Sequence, residues 1–268
     1  MQLHSAAAAA GHRLATHETL GSTNAEALAL ARRGERGPLW ITARQQTAGR
    51  GRRGRAWVSL PGNLYATLLL GDPGPAECAA QLSFVTALAV YDAILDLAPG
   101  LRPALTLKWP NDILCGGAKL AGILIEGERV ADGFAVVVGI GVNCQHHPVQ
   151  AAYPATDLAA SGAPISAENL FAALSARMVE RLAQWAKGAG FDAIRGDWMA
   201  RAAGIGGEIR VRLSDSEFSG RFEALDEQGR LLLRLADGSL QVITAGEVFP
   251  LPARRPPARQ RRGASHNG

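Results

Sequence analysis

The chain has 268 residues, 47% of them hydrophobic and 19% charged, with a formal net charge of +4. That length and apolar share can bury a substantial core, which excludes a fibrous or mainly disordered chain and accommodates one large domain plus a small one. Three cysteines, Cys78, Cys115 and Cys144, cannot close a disulfide framework and have no metal-ligand spacing, which points to a reducing, cytoplasmic setting.

The N-terminal alanine run lacks both a charged start and a leucine-rich segment, and no apolar stretch reads as a membrane span, so a soluble chain without a membrane partner is expected. Ser22-Thr23-Asn24, followed by an alternating Ala/Leu run, reads as a helix N-cap with Glu26 completing a capping box, and predicts a helix over 23–33. A strand over 39–43 leads into Gln46 to Arg55, QTAGRGRRGR. Here Gly49, Gly51 and Gly54 let backbone approach a ligand, and Arg50, Arg52, Arg53 and Arg55 supply forked donors suited to phosphate or carboxylate. With four like charges and no apolar face, this loop is expected to order only on an anion, as an active-site lid does. Gly49 to Gly54 also fit a dinucleotide-binding fingerprint, but Trp57-Val-Ser and a Pro-Gly turn follow where that fingerprint requires a helix.

A strand over 63–70 precedes a long helix over 75–97, with Leu82, Val85, Leu88, Ala89 and Ile94 at helical spacing. Alternation over 104–109 predicts a strand broken by Pro110-Asn111-Asp112, which places Lys108 and Asp112 near a strand end. The unbroken apolar run to Ile125 suggests a strand over 118–126 covered on both faces, with Lys119 entering it as a site cation. A strand over 133–140 follows, then His146-His147 as exposed loop residues and helices over 166–187 and 191–202. After Gly204-Ile-Gly-Gly207, short β-runs separated by Asp-Glu-Gln-Gly and Asp-Gly turns predict a small β-barrel. Arg254, Arg255, Arg259, Arg261 and Arg262 carry more positive charge than the chain's net +4, so the body is not basic and the tail is expected to be disordered. The organisation predicted is α+β: a mixed sheet backed by helices over 1–206, a barrel over 207–250 and a basic tail over 251–268.

Two lysines, an arginine lid and a carboxylate around one pocket suit an activated carboxylate joined to a nucleotide phosphate. Attraction between unit charges at 4 Å rises from about 1 kcal/mol in water to about 4 at an effective dielectric near 20, so closing the lid would strengthen each contact. Asp112 would hold Mg²⁺ or act as a base, while Asn111-Asp112 also reads as an ordinary turn.

Taken in order, Ser22-Thr23-Asn24, QTAGRGRRGRAW, KWPND, KLAGIL and Gly139-Ile-Gly-Val-Asn143 closely resemble biotin protein ligases, strongly over Glu18 to Asn143 and more weakly to Phe249. The resemblance implies a class II synthetase-like catalytic domain with an SH3-like barrel. It also implies an enzyme that condenses biotin with ATP to biotinyl-5′-adenylate, then passes biotin to a lysine of a carboxylase's biotin carboxyl carrier domain. By the same resemblance Ser22, Thr23, Asn24, Gln46, Gly49, Arg50, Lys119 and Gly122 would meet biotin. Arg52, Arg53, Arg55, Trp57, Lys108, Asn111 and Asn143 would meet the nucleotide. Arg52, Lys108, Asp112 and Lys119 would carry catalysis, with Mg²⁺ at Asp112. The residues ahead of Ser22 are too few for the operator-binding domain of some relatives, so no specific DNA binding is expected; the protein would be a monomer or a homodimer. A lipoate ligase or lipoyl transferase using Cys115 and Lys119 is the nearest alternative. An RNA-binding module built on lid and tail is another, although few aromatics interleave the arginines.

Overall fold

The computed structural model describes residues 1–131, 133–149, 153–213 and 215–250, so the basic tail anticipated from the sequence lies outside the described residues. In chain order the main elements are α1 (Ser5–Ala9), β1 (Arg13–Leu20), α2 (Thr23–Arg32), β2 (Leu39–Gln46), β3 (Leu64–Leu70), α3 (Leu82–Leu97), β4 (Leu105–Lys108), β5 (Asp112–Cys115), β6 (Ala118–Val130), β7 (Gly133–Val142), α4 (Ala167–Trp185) and α5 (Phe191–Met199). Their strands form one seven-stranded sheet in the order β1-β2-β3-β7-β6-β5-β4. Only β1 and β2 run parallel; the other neighbours are antiparallel, which makes the sheet mixed as expected.

Three elements escaped the sequence reading. The strand β1, RLATHETL, lies at a sheet edge with most of its residues exposed or half-exposed, so it needs little apolar alternation. Strand β5 is a four-residue return that begins at Asp112 itself, so the Pro-Asn break is the tip of a hairpin rather than the start of a longer loop. Helix α1 is a single five-residue turn.

The apolar stretch over 75–97 splits into a 3₁₀ segment, Ala76–Gln81, and α3. Ala76–Leu97 is in fact long and apolar enough to cross a membrane by length and composition, contrary to expectation, yet 78% of its apolar window is buried inside the protein. A helix apolar on every side belongs in a core, and α3 packs between the sheet, α4 and α5. Edge-to-face pairs hold it there: Phe84 meets Phe191 at 5.6 Å and Trp198 at 5.3 Å.

Strand β6 also departs from expectation. Leu120, Ala121 and Ile123 are buried in the core, whereas Gly122 and Leu124 are half-exposed at a cavity, so one face of the strand is a wall of the site.

The C-terminal strands β8 (Glu208–Arg212), β9 (Glu217–Leu225), β10 (Leu231–Arg234), β11 (Leu240–Ile243) and β12 (Glu247–Pro250) form a second, antiparallel sheet in the order β11-β10-β9-β8-β12. This is the small β-unit predicted from the turns. It shares the main core: Ile209, Phe222, Leu231 and Leu233 join the same buried cluster as α3, and Trp109 Nε1 donates to Gly229 O at 3.0 Å.

Candidate active site

The cavity begins at the N-terminus of α2. Ser22 is extended (φ −156, ψ 135) and caps the helix, its hydroxyl accepting from Ala25 N at 3.5 Å. With Ser22 as the cap, Glu26 stands one residue too far for a capping box, and its own N–H bonds Ser22 O at 3.0 Å instead. Thr23 and Asn24, in the first turn, are then carried to the cavity wall.

A chain of hydrogen bonds between uncharged side chains, ending on the Glu126 carboxylate, lines this end. Gln46 Oε1 accepts from Thr23 N at 2.9 Å and from Thr23 Oγ1 at 3.1 Å, while Gln46 Nε2 donates to Ser59 Oγ at 3.0 Å. Thr67 Oγ1 lies 2.8 Å from Thr23 Oγ1 and 2.7 Å from Asn24 Oδ1, so its one proton serves one of them at a time. Asn24 Nδ2 donates to Leu124 O at 3.3 Å and to Glu126 Oε2 at 2.8 Å.

Two glycines make this wall thin. A Cβ at Gly139 would lie 2.3 Å from Asn24 Oδ1, and one at Gly141 would lie 2.6 Å from the Trp57 ring, so the asparagine and the indole rest directly on backbone. Gly141 faces Gly122 across β6 and β7.

The other end is cationic. Lys108 closes β4 and Asp112 opens β5 as cross-strand partners. The Asp112 carboxylate lies 2.6 Å from Lys119 Nζ and 3.9 Å from Lys108 Nζ. Burial pushes the Lys108 ammonium below its ordinary pKa, opposed by the attraction of Asp112, and its Nζ sits 4.2 Å from the centre of the Tyr153 ring. Burial likewise lowers the Arg52 pKa, against the pull of Asp112. Arg52 Nη1 donates to Asn111 Oδ1 at 3.0 Å and to Gly246 O at 3.5 Å. Asn143 is buried, and its Nδ2 donates to Thr156 O at 3.0 Å.

The arginine loop folds over the cavity with contacts the sequence reading did not anticipate. Arg52–Gly54 form a 3₁₀ turn with Arg53 left-handed at φ 57. Arg50 Nη2 reaches Glu126 Oε2 at 3.0 Å, and Arg55 is ion-paired with Glu247 at the start of β12. The loop therefore does find packing partners: acids on β6 and β12 for its charges, and the glycine floor for Trp57.

Among the residues assigned to biotin or the nucleotide from the sequence, Gly49 does not line the cavity, and neither does Gly54 of the same loop. Gly49 stands behind the wall, where a Cβ would come within 2.5 Å of Trp57 O and 2.6 Å of Ser59 Oγ. Asp112 does not head a metal cage: its carboxylate is flanked by two ammonium groups, and among the described residues no group of three His, Cys, Asp or Glu side chains could hold an ion. Cys115 is buried in the core and not at the cavity. His147 is not a free loop residue, since its Nδ1 lies 2.6 Å from the buried Asp157 carboxylate.

Sequence reasoning missed Ser59, Thr67, Glu126, Tyr153 and Glu247. Thr67 had a signal, being the one aliphatic hydroxyl in the buried strand LYATLLL. Tyr153 and Glu247 are ordinary residues until the fold brings them to the cavity, whose volume is about 320 Å³, and Ser59 and Glu126 until it sets them behind the lining, against Gln46, Asn24 and Arg50.

Comparison with known proteins bears on the family and the fold. Residues 20–143 match the biotin/lipoate A/B protein ligase family, and residues 204–249 match the biotin protein ligase C terminal domain. The chain is 47% identical over 238 residues to the biotin–(acetyl-CoA-carboxylase) ligase of Paracoccus denitrificans, covering 85% of this chain and 96% of the relative. It is 37% identical to the enzyme of the same name from Mycobacterium tuberculosis, covering 86% of each. Among solved structures it is similar to a biotin protein ligase from Aquifex aeolicus in complex with biotin and ATP. That likeness has a TM-score of 0.73 at 27% identity and covers 88% of this chain and 97% of the other.

Proposed function

Since the chain belongs to the biotin protein ligase family, we propose that it activates biotin with ATP as biotinyl-5′-adenylate and transfers the biotinyl group to a lysine of the carrier domain of acetyl-CoA carboxylase or a related carboxylase. One observation carries the reading: a single cavity has a neutral hydrogen-bonding end and a cationic end, joined by a glycine floor and roofed by the arginine loop.

At the neutral end Ser22, Thr23, Asn24 and Gln46 meet the polar ring of biotin, whose buried groups would each cost about 1 to 3 kcal/mol if left unpaired. Gly122 and Arg50 flank it. At the other end the biotin carboxylate attacks the α-phosphorus of ATP, and pyrophosphate leaves. Arg52, Lys108 and Lys119 stabilise the charge that develops there, with Arg53, Arg55, Trp57, Asn111 and Asn143 around the nucleotide. In the second step the carrier lysine attacks the acyl carbon and AMP leaves. At pH 7 a lysine of ordinary pKa, about 10.4, is neutral in only about one molecule in 2500, so this step needs a base or a trapped neutral amine. Asp112 is the carboxylate nearest this chemistry, and its contacts with Lys108 and Lys119 also hold those cations in place. Mg²⁺ enters this scheme with the ATP phosphates, and the two ammonium groups beside Asp112 oppose a further cation on its carboxylate until ATP brings one. A cytoplasmic location belongs to the same proposal, supported by three unpaired cysteines.

A lipoyl transferase reading would require the Cys115 thiol at the cavity, and it is in the core. The test is incorporation of radiolabelled biotin into a purified carrier domain with ATP and Mg²⁺, with lipoate as the control. Transfer of biotin alone is expected; transfer of lipoate, or of neither acid, would overturn the proposal.

A further inference from the structure

We propose that Glu126 is a positioning residue that couples the arginine loop to the biotin end of the cavity. The inference rests on the ligase reading above and assigns a role to a residue outside the cavity lining.

Glu126 lies on β6, and a single atom, Oε2, receives two donors: Asn24 Nδ2 at 2.8 Å and Arg50 Nη2 at 3.0 Å. The first donor belongs to a buried residue of the cavity wall, and the second to the loop above it. An ionised carboxylate only accepts, so it fixes which way the Asn24 amide points: NH₂ toward Glu126 and Leu124 O, carbonyl toward Thr67. That orientation decides which hydrogen-bonding group Asn24 can turn to a ligand.

An exposed ion pair contributes little by itself, and Arg50 is substantially exposed. The shared oxygen changes its consequence. When Arg50 holds Glu126, the carboxylate is kept over the Asn24 amide; when a ligand orders Asn24, Glu126 becomes a fixed anchor for the loop. Coupling of this kind is reciprocal: biotin favours the closed loop by the factor with which the closed loop favours biotin. The docking of α2 does not depend on this contact alone, because two residues further along β6 Glu128 makes a two-pronged pair with Arg32 at 2.7 Å. Glu128 thereby provides a structural control.

The experiment measures kcat and the KM for biotin and for ATP in adenylate formation, with the full chain. Glu126→Gln keeps an acceptor for Asn24 and loses the charge facing Arg50; it is expected to raise the biotin KM about tenfold, with kcat and the ATP KM within about twofold. In an Arg50→Gln background the same substitution is expected to add nothing, because the pair is already broken. Glu126→Ala should raise the biotin KM further in either background, since Asn24 then loses its acceptor. Glu128→Gln should move neither KM. Additive effects of Glu126→Gln and Arg50→Gln, or an unmoved biotin KM, would overturn the coupling while leaving the ligase reading intact. A wild-type chain inert toward biotin would remove both.

Discussion

Gly139 occupies a position that no side chain can share with Asn24, because a Cβ there would stand 2.3 Å from the asparagine oxygen. Gly139→Ala is therefore expected to raise the biotin KM, by up to about 100-fold if Asn24 moves by an ångström, with little change in the ATP KM; equal effects on both would count against the assigned ends of the cavity. At the cationic end, Arg52→Ala or Lys119→Ala removes a donor aimed at developing charge. Each is expected to slow single-turnover adenylate formation about 10²- to 10³-fold, and an unchanged rate would strip that residue of its role. His12 governs stability instead. It is buried and accepts from Trp40 Nε1 through Nδ1 at 3.0 Å, and burial lowers its pKa. The unfolded chain takes up this proton first as pH falls, so the contribution is complete above about pH 6.5 and is lost below it, toward the depressed folded value. Urea unfolding at about pH 7.5 and 5.5 should show a smaller loss for His12→Gln than for wild type; equal losses would contradict the assignment.

Elements were legible where burial imposes a pattern. Helix α3 and strands β3 and β7 are so apolar that few other placements exist for them, and α4 is preceded by the cap Ser166, whose hydroxyl accepts from Asn169 N at 3.2 Å. Strand β1 carried no such pattern, because an edge strand facing solvent has no period to display. The loop over 46–55 was read correctly as cationic and glycine-rich but not for its partners, which lie on distant strands. Among these, Glu247 of β12 pairs with Arg55. Glu247→Ala should release that corner, and tryptic cleavage at Arg52, Arg53 or Arg55 is expected to quicken roughly fivefold, as befits a half-exposed pair worth about 1 kcal/mol. Unchanged cleavage would mean that Trp57 on its glycine seat holds the loop alone.

On the scale of the molecule, the two sheets are not separate stability units. Trp109 bonds Gly229, Phe84 packs beneath that turn, and side chains from β8, β9 and β10 complete the same buried cluster as α3. Calorimetry is thus expected to show one transition with equal calorimetric and van't Hoff enthalpies, whereas a separate transition for residues 208–250 would contradict a shared core. The sequence by itself determined the chemistry of the cavity, because glycine, lysine and arginine at motif spacing serve close approach and anion binding whatever surrounds them. It determined the buried elements too, because apolar periodicity is a local consequence of burial. Only the tertiary structure decided that Asp112 belongs to Lys119, that Cys115 faces the core, and that Glu126 and Glu247 hold the loop. Those facts depend on contacts between residues as many as 192 positions apart, such as Arg55 with Glu247, and no local pattern encodes which distant partner a charge will meet.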